Sequence, residues 1–347
     1  MIINNVIIIV PTLVLKQQWE ERLAYYNLSS FCNVLVINTA YKNNYICDFL
    51  IIDEVHKIPS TEFRKCLETI KYNYSLHLTA TLERLDGEEK FLLSKFSICD
   101  TITLKECLNN KWISEYAIYN LAVPFSYEEY IKYKKINNSF KYYAKKCTNN
   151  NFNSSFECAT YWLSNGTTEE KKLATGFYRN MSLRKDLLIN NSNKLPVTIE
   201  IIKRFQDRLG LVFSESIKFA NTLHSKIPDI CLPIHSKIGQ KEQEIQLQLF
   251  KDRAIPQTYI SSCKSLIAGL DIPQLSIGII ASASSSKIAS IQSLGRLLRI
   301  QENKQAIFIN LYTPDYEEVA SQEVKWLLKR QQGMSNINWI TDINEID

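Results

Sequence analysis

The residues with the clearest chemical potential lie in Asp48-Phe49-Leu50-Ile51-Ile52-Asp53-Glu54-Val55-His56, where four apolar residues end in two carboxylates. At the C-terminal edge of a parallel strand, side chains face the crevice in which open α/β sheets bind ligands. Magnesium often keeps waters between itself and a single carboxylate, and Asp53 would hold it that way. Glu54 would orient or deprotonate an attacking water. An acidic pair after a strand is common by itself, so neighbouring elements decide. Leu76-His77-Leu78-Thr79-Ala80-Thr81 ends another strand in hydroxyls that flank alanine. Thr79 and Thr81 could bond back to the acidic pair, or be there only because threonine favours strands. Farther on, Gln292, Arg296 and Arg299 are spaced by four and then three. On a helix they share a face, and Gly295 between them permits close backbone approach. Guanidinium binds phosphate bidentately and could serve as an arginine finger. Taken alone, the same spacing also describes a solvated basic face.

These groups need strands and helices to aim them. Short β-branched runs recur at Val6–Val10, Asn33–Ile37, Phe49–Ile52, Ser75–Thr79 and Thr101–Leu104. Strands apolar on both sides belong to a parallel sheet covered by helices on both faces. Between them, Leu13, Trp19, Leu23 and Tyr26 could line one helix face, and Phe63, Leu67 and Ile70 another. The final third repeats the alternation at Leu209–Phe213, Ile230–Ile234, Thr258–Ser262, Ser276–Ala281 and Ala306–Leu311. From Val123 to Lys194 strand runs are lacking and helical stretches take over. The expected organisation is an α/β chain of two lobes: 1–122, a helical connector or insertion 123–194, and 195–347. Within the connector, Ile131 to Lys146 carries Lys132, Lys134, Lys135, Lys141, Lys145 and Lys146 and no acidic residue, with Tyr133, Phe140, Tyr142 and Tyr143 interleaved. This segment reads equally as a nucleic-acid-binding face or as a solvated helix with its aromatics packed inward.

Composition narrows the class. The length suits about two domains, and an apolar fraction of 45% allows sizeable cores. A net charge of +5 fits a nucleic-acid partner without requiring one. The nine cysteines include no Cys-x-x-Cys pair, so neither a disulfide framework nor a zinc site is expected, and a reducing cytoplasmic compartment is. No apolar run approaches the ~20 residues that span a bilayer, so no membrane partner is expected. Abundant lysine, asparagine, isoleucine and tyrosine fit an AT-rich, viral genome.

Taken in order, the motifs resemble those of superfamily 2 helicases. Val10-Pro11-Thr12 with Gln18-Trp19 is similar to motif Ia, Asp53-Glu54-Val55-His56 to the Walker B box, and Thr79-Ala80-Thr81 to motif III. Val212-Phe213-Ser214 resembles motif IV, the stretch from Lys264 through Gly269 and Asp271 to Pro273 motif V, and Gln292-x-x-Gly295-Arg296-x-x-Arg299 motif VI. Thr79-Ala80-Thr81-Leu82-Glu83-Arg84 looks most like the xeroderma-pigmentosum-B-like DNA repair helicases and their phage relatives. The resemblance implies two RecA-like lobes of P-loop NTPase type that use ATP and Mg2+ to drive movement along DNA, with 3′ to 5′ direction and RNA as the alternative strand. It implies that Asp53 serves magnesium and Glu54 the water. Arg296 and Arg299 would contact the γ-phosphate, with Gln292 near the nucleotide. Gly269 and Asp271 would link the nucleotide and nucleic-acid sites, and Thr79 and Thr81 would couple them. Pro11, Thr12, Thr39, Ser214 and Lys264 would approach the phosphate backbone.

One departure stands out. The family's phosphate-binding loop ends in Gly-Lys-Thr or Gly-Lys-Ser, and no Gly-Lys dipeptide occurs here. The expectation is a truncated or split helicase subunit complemented by a second polypeptide, or a fragment of a longer protein, or else a non-catalytic nucleic-acid-binding derivative. A restriction-enzyme motor would share the same boxes.

Overall fold

Five consecutive β-branched residues, Val6–Val10, form β1, buried from Ile7 onward. Around it lie α1 (Leu13–Tyr25), β2 (Cys32–Val36), α2 (Ile37–Ala40), β3 (Tyr45–Ile52), α3 (Cys66–Thr69), β4 (Ile70–His77), α4 (Glu89–Lys95) and α5 (Leu104–Asn109). The computed structural model describes residues 4–58, 63–80, 82, 87–148, 152–263, 272, 274–282, 295, 299, 304–314 and 322–347. It divides into two compact units, the first holding the residues up to Ile113 together with Ile272, Gly295 and Arg299.

The first unit is a parallel sheet in the order β2-β1-β3-β4. One face buries Ile7, Ile9, Leu50, Ile52 and Ile70 against α2, Cys66 of α3 and Leu92 of α4. The other buries Ile8, Val10 and Val34 beneath Leu23, Leu15 and Trp19 of α1. Leu13 and Tyr26, expected on that helix face, are instead 73% and 62% exposed. Two other expectations change. Ile70 starts β4 rather than continuing a helix. The strand expected at Thr101–Leu104 is replaced by a helix start, because the Thr103 hydroxyl accepts from Glu106 N at 3.2 Å and caps α5.

The second unit contains β5 (Glu115–Ala122), α6 (Tyr127–Lys146), α7 (Ser155–Asn165), α8 (Thr168–Ile189), α9 (Lys194–Arg204), β6 (Gly210–Ser214), α10 (Ile217–Lys226), β7 (Cys231–Ile234), α11 (Gln240–Lys251), β8 (Tyr259–Cys263), β9 (Ile277–Ile280), β10 (Gln305–Tyr312), α12 (Gln322–Arg330) and β11 (Ile337–Ile340). Its strands pair in parallel in the order β11-β5-β10-β9-β6-β8-β7. The first lobe was expected to run to residue 122. Instead β5 pairs along its whole length with β10 and on its far side with β11, so the division falls at Ser114. Gly210 has a packing reason: a Cβ there would overlap the ring of Tyr259.

Within the stretch expected to be a helical connector lie α6, α7 and α8, which belong to the second unit. Ser126 with Glu129 and Thr167 with Glu170 form capping boxes at the starts of α6 and α8. Cys147, Cys158, Ala159, Trp162, Ala174 and Phe177 make its core. Gly176 lets Tyr143 lie against the α8 backbone. Tyr133, Phe140 and Tyr143 are turned inward, whereas Tyr142 is 56% exposed. The inward-packed reading therefore holds for three of the four aromatics. Among the described residues the cysteines are free thiols, and no helix is long and apolar enough to cross a membrane.

Candidate active site at the rim of the first sheet

Because all four strands of the first sheet run the same way, their C-terminal ends share one rim. Thr39 follows β2, Pro11 and Thr12 follow β1, Asp53 and Glu54 follow β3, and Thr79 follows β4. Six residues chosen from sequence therefore lie along one rim.

Asp53 is fixed on both sides. Its N–H donates to Ile9 O at 2.9 Å, continuing the ladder with β1. Its Oδ1 accepts from Glu54 N at 2.9 Å and its Oδ2 from the Trp19 indole Nε1 at 3.1 Å. Each carboxylate oxygen has two acceptor sites, so the carboxylate keeps capacity for a further ligand. Glu54 sits at φ 52°, ψ 48°, in the left-handed region. For a residue with a Cβ this costs about 1–2 kcal/mol. It turns the chain into a 3-10 turn, Val55–Lys57, whose Val55 N–H donates to Leu78 O at 2.9 Å.

The link between the carboxylates and the threonine end of β4 runs through a buried histidine. His56 Nδ1 lies 3.0 Å from Thr79 Oγ1 and 3.2 Å from Glu54 Oε2. Nearby, burial pushes the His77 pKa down to about 4, and its ring meets Phe96 edge-on at 4.0 Å. Thr79 and Glu54 thus both lie beside His56, an intermediary whose role the sequence did not reveal. Thr81 lies outside the described residues.

Arg299 belongs to this same unit. Burial, and then the charge of Arg22, hold its pKa below the ordinary arginine value. Arg22 and Trp19 are three apart on α1 and so share a side. One helix face therefore reaches Asp53 with one residue and the vicinity of Arg299 with another. Gly295 is exposed, and among the described atoms nothing lies within 4 Å of where its Cβ would be. Gln292, Arg296, Lys264, Gly269 and Asp271 lie outside the described residues.

The candidate backbone-contacting residues differ in kind. Thr12 caps α1, accepting from Leu15 N at 3.3 Å. Thr39 is exposed. Ser214, in the second unit, is buried and donates to Ser216 O at 3.1 Å, so its hydroxyl is already engaged. Sequence reasoning placed Trp19 in a motif and on a helix face and His56 in the acidic box without giving either a role at the site, and it did not single out Arg22. Only the three-residue spacing of Trp19 and Arg22 was there to be noticed.

Comparison with known proteins shows what the chain is similar to. The sequence profile of the helicase conserved C-terminal domain matches residues 193–301, and that of the type III restriction enzyme res subunit matches residues 37–84. Together the two profiles make the chain similar to superfamily 2 helicases. It is 25% identical over 332 residues to the DNA 3'-5' translocase XPB2 of Sulfurisphaera tokodaii, covering 88% of this chain and 72% of that protein. It is 26% identical over 286 residues to a protein of Sulfolobus islandicus filamentous virus provisionally named helicase 22, covering 80% of this chain and 44% of the viral one. The fold of Saccharomyces cerevisiae Dbp5, solved bound to RNA and ADP BeF3, matches with a TM-score of 0.58 at 11% identity, over 97% of this chain and 77% of that one. The lobes are RecA-like in fold.

Proposed function

We propose that this chain is an ATP-driven DNA helicase or translocase of superfamily 2, whose catalytic carboxylates are Asp53 and Glu54. What supports the reading is the wiring of that pair at the rim: Asp53 anchored by Trp19, and Glu54 joined through His56 to Thr79. Asp53 would hold Mg2+ through water. Among the described residues no group of three or more metal-ligating side chains gathers, which suits a single-carboxylate site completed by water and phosphate. The metal would neutralise phosphate charge. Glu54 would take the proton of the attacking water on a carboxylate oxygen. Arg296 and Arg299 would stabilise the γ-phosphate, with Gln292, Gly269 and Asp271 at the nucleotide. Pro11, Thr12, Thr39, Ser214 and Lys264 would lie along the strand.

His56 supplies the coupling. A single ring nitrogen lies within reach of both the Glu54 carboxylate and the Thr79 hydroxyl. Engagement of Nδ1 by one partner weakens its bond to the other, so a change of charge on Glu54 is felt at Thr79 and, through the neighbouring Thr81, at the strand contacts. The cationic phosphate anchor of the family, a Gly-Lys-Ser/Thr loop, is absent from these 347 residues. It would come from sequence outside them, in the same polypeptide or another.

The test is DNA-stimulated ATP hydrolysis, measured on this chain alone and with a polypeptide carrying a Gly-Lys-Thr loop. Turnover is expected in the second case. It should fall about 100-fold or more in Glu54→Gln, with DNA binding retained. DNA binding without turnover in either case would identify a non-catalytic nucleic-acid-binding protein.

A further inference from the structure

Ser214 ends β6, where the motif resemblance puts a contact to the strand. A phosphate oxygen needs a donor, and the single O–H of Ser214 already goes to Ser216 O. The next residue, Glu215, is fixed through its backbone: its N–H donates at 3.0 Å to the hydroxyl of Ser282, a buried residue just past β9. The Glu215 carboxylate, 11% exposed, meets the Nζ of Lys185 on α8 at 3.4 Å, and that lysine side chain is 40% exposed.

Arg184, rather than this ion pair, sets the position of α8. Its Nη1 donates to Asn137 Oδ1 of α6 at 3.0 Å, and its Nη2 to Gln322 Oε1 at the start of α12 at 3.1 Å. Its guanidinium also lies 3.9 Å over the ring of Phe140. The backbone of Lys185 therefore stays in place whichever acceptor its ammonium takes. Charge-assisted N–H···O bonds are about 2.7–2.9 Å long. The contact to Glu215 is longer than that, and an ammonium on a flexible stem has further donors for a second acceptor.

Glu215 is not stranded when Lys185 turns away. Arg330 of α12 is buried, and burial brings its pKa down to about 10, against the pull of the Glu323 and then the Glu215 charge. The carboxylate thus serves two cations, one buried and one at the surface. Loss of the surface partner leaves it compensated by the buried one.

We propose that Lys185 is the phosphate contact of a nucleic-acid strand at the end of β6, and that Glu215 is an internal competitor for it. In the free protein Glu215 holds the ammonium. A strand phosphate accepts from the same donors and takes the ammonium over by a turn of the lysine side chain. An isolated anion must displace Glu215 unaided, whereas a phosphate tethered to others already bound arrives at high effective concentration. The passage of a strand along this rim rests on the function proposed above.

The test is binding of a fluorescent oligothymidylate to the full chain over a salt series. The variants are Lys185→Gln, Lys185→Arg, Glu215→Gln and the double variant Lys185→Gln/Glu215→Gln. Lys185→Gln should weaken binding and lower the slope of log affinity against log salt by about 0.7, the share of one phosphate on a single strand. Lys185→Arg should restore that slope. Glu215→Gln should tighten binding about 2- to 5-fold, the range a partly exposed ion pair allows. The gain should vanish where Lys185 is already Gln. An equal gain in both backgrounds would make Glu215 a general repulsive charge, and no gain would leave it a structural residue; either result overturns the competition. Unchanged affinity and slope in Lys185→Gln would overturn the contact, and this variant decides it even if Glu215→Gln lowers stability. A wild-type chain that binds no strand at any salt would remove the function proposed above and the contact with it. Strand binding indifferent to Lys185 removes the contact alone.

Discussion

Trp19 donates to Asp53 from a helix whose first residue is capped by Thr12, a candidate strand contact. A hydrogen bond to a charged acceptor contributes about 1.5–3 kcal/mol. Trp19→Phe keeps the packing against Val34 and Ile8 and removes only that bond. In the loop-complemented protein it should lower kcat about 10-fold and raise the Mg2+ concentration needed for half-maximal rate, while DNA affinity stays unchanged. An unaltered magnesium requirement would assign Trp19 to packing alone. At this scale the sequence was informative where chemistry dictates residue type. Two carboxylates after an apolar run, and a hydroxyl ending the next strand, pointed to Asp53, Glu54 and Thr79 as candidates. It was silent where a role depends on three-dimensional reach. A histidine beside an acidic pair has no spacing that announces a bond to a threonine 23 residues away.

The elements were legible to the extent that their residues are uniform. β1, β6, β9 and β10 are mainly apolar runs, β10 with Asn310 inside it, and fall within a residue or two of expectation. β5 and β11 were not foreseen because polar residues interrupt them. Asn120, in the middle of β5, is buried and satisfied by Gln331 and Asn310, partners about 200 residues away in the chain. A similar long-range pairing anchors α9. Lys194 is fully buried, and its Nζ donates to both oxygens of Glu323 at 2.7 and 3.0 Å and to Leu188 O. Burial lowers the Lys194 pKa, against the opposing pull of the Glu323 charge. Glu323 also accepts from Thr313 N, tying α12 to the end of β10. Lys194→Met leaves that carboxylate buried without its cation and should cost about 3–5 kcal/mol in urea unfolding. Adding Glu323→Leu should recover most of the loss. A double variant no more stable than the single one would place the effect elsewhere.

Across the whole molecule, the net charge of +5 is too small to draw a strand to every surface alike, so its distribution matters. The exposed side of α6 carries Lys132, Lys134, Lys135, Lys141, Lys145 and Lys146, with Tyr142 standing among them. If these lysines sit on phosphates, Lys141→Glu with Lys145→Glu should reduce the slope of log affinity against log salt by about 2. An unchanged slope would leave α6 a solvated helix. The division into two α/β units was readable from alternating strands and helices. The place of the boundary was not, because sheet membership of β5 is set by partners at the far end of the chain.

That pairing has a consequence for biosynthesis. Asn120 on β5 bonds to Asn310 on β10, 190 residues later. At about 5–20 residues per second, β5 leaves the ribosome roughly 10–40 s before its partner is made. For that interval a run containing Ala117, Ile118, Tyr119 and Leu121 has no sheet to join. The nascent chain must be shielded by chaperones or by its own helical bundle, and how quickly translation proceeds through α7 to β9 should govern how much of the product stays in solution.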